Sequence, residues 1–199
     1  MRVIEFEQGT EEWLNARLGI PTASNFSKIL TASGKRSAQL EGYVNQLVSE
    51  KLTLEPAFKF TSDAIERGVE LEPHARLSYM HETGRNVDMI GLCLLDDIDA
   101  GASPDGLVED GLLEIKCPLG HTMIDYLDNP GLPGNYKPQV QGQLWVTGRD
   151  WCDFYAWHPD MISMLIRVER DEQYISLLKE LVEEVVNSVN VKYEKYRRK

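Results

Sequence analysis

A chain of 199 residues that is 42% hydrophobic and 27% charged can bury a real core, so disorder is not the default reading. Its three cysteines, Cys93, Cys117 and Cys152, stand far apart with no C-x-x-C pair; this argues against a zinc ribbon, an iron–sulfur cluster or a disulfide framework and suits a reducing compartment. The formal net charge of -11 weighs against a generally basic DNA binder, because non-specific affinity rests on Lys and Arg neutralising phosphates.

The acid is unevenly spread: residues 1–40 carry five basic and four acidic side chains, so any DNA contact must be a local basic surface. Met1-Arg2-Val3-Ile4-Glu5 lacks an apolar signal core, and no apolar run approaches about 18 residues. The expectation is a soluble, cytosolic protein with no membrane association, folded as one domain over 1–199.

In chain order, Thr10 is a credible N-cap, with Glu11 and Glu12 in the first turn and Trp13, Leu14 and Leu18 on an apolar side. Gly19 stops that helix and Pro21 prevents it resuming. A second helix is expected from Thr22-Ala23-Ser24, with Phe26, Ile29 and Leu30 inward. A basic loop containing Lys35 and Arg36 follows, then a helix from about Gln39 to Leu54 with Leu40, Tyr43, Val44, Leu47 and Val48 at helical spacing. Thr61 or Ser62 caps a long helix reaching about Glu82, whose repeating face holds Ile65, Val69, Glu72, Ala75, Arg76 and Tyr79. Pro73 threatens a kink or break there. Glu72 lies either at the edge of that stripe or pointed at a site.

Val87 to Leu95 reads as a strand, Asp96-Asp97 as a turn. Beyond the hairpin described next, His121 to Asp128 reads as a short helix and Asn129 to Gly134 as a loop. Tyr136 to Thr147 reads as a helix, Trp151 to Trp157 and Met161 to Val168 as strands. Asp171 caps a final helix with Ile175, Leu178, Leu181, Val182, Val185 and Val189 on one face. This order predicts an α/β (α+β) domain with a mixed central β-sheet flanked by helices.

Ser103 to Pro118 reads as two short strands around an acidic turn. Asp105 begins the first, and Leu113-Glu114-Ile115-Lys116 alternates so that Glu114 and Lys116 share a face. Two carboxylates and an ammonium converging there suit metal-dependent phosphodiester cleavage, since Mg²⁺ binds through one or two carboxylates plus substrate phosphate. The alternative is an edge hairpin carrying a solvated ion pair, worth roughly 0–1 kcal/mol.

Six segments in order, Arg17-Leu18-Gly19-Ile20-Pro21-Thr22-Ala23-Ser24, Gly68-Val69-Glu70-Leu71-Glu72, Ser103-Pro104-Asp105-Gly106, Leu113-Glu114-Ile115-Lys116-Cys117-Pro118, the run from Gln139 to Thr147, and Glu169-Arg170-Asp171-Glu172, carry a resemblance. The chain resembles the phage lambda-type exonucleases within the restriction-endonuclease-like PD-(D/E)xK nucleases. The resemblance implies a restriction-endonuclease-like core and a Mg²⁺-dependent 5′→3′ exonuclease. Such an enzyme acts on double-stranded DNA from 5′-phosphorylated ends, releases mononucleotides and leaves 3′ single-stranded tails for recombination by strand annealing. A related nuclease with endonuclease or opposite-polarity activity is the alternative, and a catalytically silent DNA-end or protein-binding module is a third reading.

The resemblance also implies the site. Asp105, Glu114 and the backbone carbonyl of Ile115 would hold the metal, with Glu72 reaching it directly or through water. Two Mg²⁺ ions are implied, with Mn²⁺ able to substitute. Lys116 would orient or activate the attacking water. Arg17, Ser24, Ser103 and Gln141 would grip the terminal 5′-phosphate, and Ile65 would be an apolar wedge at the DNA end. Ser24 alone could equally be only a helix cap, and Gln139 and Gln141 only the edge of a packed helix. A homotrimeric ring, a single-strand annealing partner and a phage or prophage protein in a bacterial cytoplasm complete the implication. A ring needs basic groups only on its inner wall, which would reconcile the acidic total with DNA.

Overall fold

The computed structural model describes residues 1–56 and 63–198; the side chains of residues 63–65 also lie outside the description. The site is carried by a mixed sheet ordered β4-β5-β6-β7, formed by Gly106–Val108, Gly111–Lys116, Trp151–Ala156 and Met164–Glu169. Strands β4 and β5 form an antiparallel hairpin in which Leu107 faces Leu112; Glu109 in its turn takes a left-handed φ of 52°. Strand β5 then runs parallel to β6, with Glu114 beside Phe154, and β6 pairs antiparallel with β7.

Because β5 has a neighbour on each side and is buried from Gly111 to Ile115, it is a central strand. The edge-hairpin alternative is therefore overturned. Such a strand reads as an apolar run because both of its faces are covered. One polar residue, Glu114, sits within that run at 1% exposure, which is costly unless every oxygen is hydrogen-bonded.

A parallel pair requires a crossover, supplied here by α4 (Gly120–Asp128) and α5 (Lys137–Thr147). Helix α5 ends at Gly148 with φ 70°, the left-handed cap that glycine supplies at little cost. Its Val140 and Leu144 pack with Leu112, Cys152 and Phe154 on one sheet face. On the other face, Ala75 and Tyr79 of α3 (Asp63–Thr83) meet Leu113, Ile115 and Tyr155. Each of these fully buried large side chains contributes about 1.5–3 kcal/mol from leaving water.

A second, antiparallel sheet has the order β1-β2-β3, from Arg2–Ile4, Leu92–Leu94 and Gly101–Ala102. Helices α2 (Leu40–Thr53) and α6 (Glu172–Tyr196) pack in a core that joins Tyr43, Leu47, Cys93, Ala102, Leu178 and Val182.

Several expectations change. The segment after Thr22 is a 3₁₀ turn, Ala23–Lys28, rather than an α-helix, although Phe26, Ile29 and Leu30 are buried as expected. Helix α1 (Glu11–Ala16) has its Thr10 cap, which accepts from Trp13 N at 3.3 Å, but it buries no residue, and Leu14 is exposed. Helix α3 runs through Pro73 as one element, and its Val69 faces outward. The strand expected over Val87–Leu95 shrinks to Leu92–Leu94, with Asp88 bridging separately to Leu107. Strand β1 was not expected; three residues are too short for a periodic signal.

Candidate active site

The β4–β5 hairpin brings Asp105 alongside β5: Ile115 N donates to Asp105 Oδ2 at 2.6 Å, and Asp105 N donates to Leu113 O at 3.0 Å. Glu114 is held by three donors. Lys116 Nζ pairs with Oε1, Gln139 Nε2 donates to Oε1 at 2.6 Å, and Gln143 Nε2 donates to Oε2 at 2.6 Å. This satisfies a buried carboxylate that would otherwise cost several kcal/mol to desolvate.

The electrostatics separate the roles of these groups. Desolvation, then the neighbouring charge of Glu114, pushes the Asp105 pKa well above the carboxylate range, against the pull of Lys116. Burial works against the Lys116 ammonium, but the charges of Glu114 and Asp105 outweigh it and hold its pKa above the usual lysine value. Lys116 is therefore a cation at neutral pH, suited to orienting or stabilising rather than to removing a proton. Burial raises the Cys117 thiol to about 11 and the Cys152 thiol well above its usual value, so neither is an activated nucleophile.

A basic arm lies across from these acids. Arg17 donates to Thr22 Oγ1 at 3.0 Å and Ser24 Oγ at 3.1 Å. Its guanidinium stacks 3.9 Å above the Trp13 ring centroid, and burial lowers its pKa to about 10, partly offset by Tyr43 and Glu50. Trp13 Nε1 donates to Ser103 Oγ at 3.1 Å. Gln8 Nε2 donates to Pro104 O at 2.8 Å, tying the chain just before Asp105 to the N-terminal segment.

The two halves meet. A cavity of about 160 Å³ is lined jointly by Gln8, Trp13, Arg17, Thr22, Ser24, Ser103, Asp105, Glu114, Lys116, Gln139 and Gln143. A second cavity, of about 440 Å³, shares Asp105 and Lys116 and adds Arg67, Glu72, Ile115 and Tyr136. Glu72 thus faces the site, with its carboxylate paired to Arg76. Arg67 is tethered by Nη1 to Cys117 O at 2.8 Å and Pro118 O at 3.1 Å.

Gln141 does not join this group. It is 2% exposed, donates to Glu169 O at 2.9 Å and accepts from Asp171 N at 2.8 Å. At about 100° per residue, positions 139 and 143 share one face of α5 while 141 lies round the other side. That i, i+4 spacing of glutamines was the signal for Gln139 and Gln143. Trp13 was likewise missed as a site residue, because a helix-face aromatic reads as structural. Of the basic loop, Arg36 is engaged by Glu184 at 2.6 and 2.8 Å. The side chain of Ile65 lies outside the described residues.

Among the described residues, no group of three or more His, Cys, Asp or Glu side chains is gathered as a metal site. Glu72 pairs with Arg76, and Glu114 is held by Lys116, Gln139 and Gln143. The donor chemistry nonetheless fits a hard divalent cation: two adjacent oxygen donors, Asp105 and Glu114, crowd negative charge that burial leaves poorly solvated.

The family described as the YqaJ-like viral recombinase domain matches residues 12–150. The crystal structure of an alkaline exonuclease, LHK-Exo, from Laribacter hongkongensis superposes with a TM-score of 0.85 at 36% identity, covering 94% of this chain and 95% of that one. LHK-Exo in complex with dAMP superposes equally well, at a TM-score of 0.84 with the same identity and coverage. A phage related exonuclease from Haemophilus somnus 129PT, at 15% identity and a TM-score of 0.73 over 88% of this chain and 96% of that one, shares the fold. No curated protein matches significantly. Among the described residues no helix is long and apolar enough to cross a membrane.

Proposed function

The chain belongs to the family of YqaJ-like viral recombinase domains, the lambda-exonuclease-like group that its motifs resemble, and is a DNA exonuclease; from that premise we propose that it digests duplex DNA 5′→3′ from phosphorylated ends, releasing mononucleotides. The observation that carries this reading is the shared cavity, where Arg17, Ser24 and Ser103 line the same space as Asp105, Glu114 and Lys116. A terminal phosphate in the basic half sets the distance from the end at which the acidic half can act, which is the property of an end-measuring exonuclease rather than an endonuclease. The dAMP bound by LHK-Exo, a 5′-mononucleotide, is consistent with such a product.

Each residue then has a physical task. Arg17 offers a guanidinium fork to the phosphate, held in place by the Trp13 ring beneath it. Thr22, Ser24 and Ser103 add hydroxyl donors, and Gln139 replaces Gln141 as the neutral amide at the basin's edge. Asp105, Glu114, the Ile115 carbonyl and Glu72 would hold Mg²⁺, one or two ions. When bound, the metal supplies charge neutralisation of the scissile phosphate and a more acidic water. Lys116, as an ammonium, orients the attacking water and offsets charge growing on the phosphate.

The reading extends to one nuclease domain over 1–199, assembled as a homotrimer, that hands 3′ tails to an annealing protein of phage or prophage recombination. These features follow from the lambda-type resemblance. The test is digestion of a duplex labelled at one 5′ end, with phosphate or hydroxyl termini, with Mg²⁺ and with chelator. Early release of labelled mononucleotide, faster from phosphorylated ends and only with Mg²⁺, is the expected result. Internal cleavage or release from the 3′ end would overturn the proposal.

A further inference from the structure

We propose that Gln139 and Gln143 form a two-part support for Glu114, in which Gln143 fixes the carboxylate and Gln139 couples its orientation to the anion occupying the Arg17 basin. The inference rests on the basin being the 5′-phosphate pocket and on Glu114 being a metal ligand. The two glutamines are positioning residues: they act through Glu114.

The pair differs in freedom. Both amides project from one face of α5, four residues apart, and each donates at 2.6 Å to a different oxygen of Glu114. Gln143 is 1% exposed, and among the described residues its buried Oε1 has no partner. Turning that amide over would set its oxygen against the carboxylate, so Glu114 dictates its orientation and the orphaned acceptor is the cost. Gln143 is therefore a fixed prop.

Gln139 is only partly buried and borders the cavity lined by Arg17, Ser24 and Ser103. A primary amide carries two N–H donors. Among the described residues Glu114 is its one hydrogen-bond partner, so the second donor is free for a phosphate oxygen. An anion accepting it would pin the amide between basin and carboxylate and hold Glu114 Oε1 where Lys116 also reaches. End recognition would thereby raise the affinity of the carboxylates for a cation, and the cation would raise affinity for the end by the same factor.

The test measures Mn²⁺ affinity by electron paramagnetic resonance on the full chain. The protein is bound to a duplex whose first linkage is a phosphorothioate, carrying either a 5′-phosphate or a 5′-hydroxyl, and the DNA-only titration is subtracted. The unaltered protein should bind Mn²⁺ at least about fivefold more tightly beside the 5′-phosphate. Gln139→Ala and Gln139→Leu should bring that ratio to about one. Gln143→Met should weaken Mn²⁺ binding with both ends and keep the ratio; if it does not fold, the two Gln139 variants decide alone. A ratio that survives in both Gln139 variants overturns the inference. So does a ratio of one in unaltered protein that binds Mn²⁺ and prefers the phosphorylated end. Absence of Mn²⁺ binding, or of any preference for the phosphorylated end, overturns the reading of the site itself and this inference with it.

Discussion

The indole N–H of Trp13 donates to Ser103 Oγ at 3.1 Å while the same ring carries the Arg17 guanidinium on its face. One side chain on a short surface helix thus joins the cation from the N-terminal segment to the hydroxyl that precedes Asp105. Trp13→Phe keeps the stack and loses the hydrogen bond, worth about 0.5–1.5 kcal/mol. It should lower kcat/KM on phosphorylated duplexes roughly 2- to 10-fold with little effect on hydroxyl ends. Equal losses on both ends would show that Trp13 acts on the whole fold instead.

Arg17→Ala removes the charged half of the basin. A hydrogen bond to a charged group contributes about 1.5–3 kcal/mol, so the preference for a 5′-phosphate should fall by roughly 10- to 100-fold. Competition between phosphorylated and hydroxyl-ended duplexes measures it directly, and an undiminished preference would count against the basin.

Lys116→Ala should reduce cleavage by about 10²–10⁴-fold, the range for a group that manages the attacking water. DNA binding in the presence of Ca²⁺ should be largely kept. Full activity in this variant would remove Lys116 from the chemistry.

Asp105 gives a pH signature. Its folded-state pKa lies above the ordinary Asp value, first through desolvation and then through Glu114. The folded state therefore binds this proton more tightly than the unfolded chain does. The associated stability is present at acid pH and is lost as pH rises from the ordinary Asp range through the raised value. Asp105→Asn keeps an oxygen for the Ile115 N–H and carries no charge. In chelator it should melt at a higher temperature than the unaltered protein at neutral pH, and the gain should vanish below the ordinary Asp range. Melting curves against pH test the sign; a variant less stable at neutral pH would contradict it.

Gln141→Ala tests the opposite assignment. Its amide bridges Glu169 O and Asp171 N at the start of α6, so truncation removes two partly buried hydrogen bonds, each worth about 0.5–1.5 kcal/mol. Denaturant midpoints should fall while the ratio of activities on phosphate and hydroxyl ends stays constant. A changed ratio would restore Gln141 to the basin.

The site was most legible where a local pattern carries it. Alternation along β5 was enough to place Glu114 and Lys116 on a common face, and the hairpin was enough to bring Asp105 beside it. The helices with long apolar stripes, α2 and α6, were read nearly to the residue for the same reason. Periodicity could not reveal partners brought in by tertiary packing. Trp13 reaches Ser103 across most of the N-terminal half, and Gln141 differs from Gln139 only by which side of α5 meets β5. The resemblance pointed to α5 through Gln141, and the helical angle puts Gln139 and Gln143 against the cavity instead. Short pieces such as β1 and the 3₁₀ turn at Ala23–Lys28 offer too few positions for any period to register.

The parallel pairing of β5 with β6 has a kinetic consequence. The hairpin bearing Asp105, Glu114 and Lys116 is made of near neighbours in sequence, whereas the glutamines on Glu114 and the strand beside it come from the crossover and from Trp151–Ala156. Contacts distant in sequence form later than local ones because loop closure must come first. During synthesis the acidic hairpin emerges from the ribosome ahead of the residues that steady it. A nascent or half-folded chain therefore holds its carboxylates without the glutamines and the strand that support them.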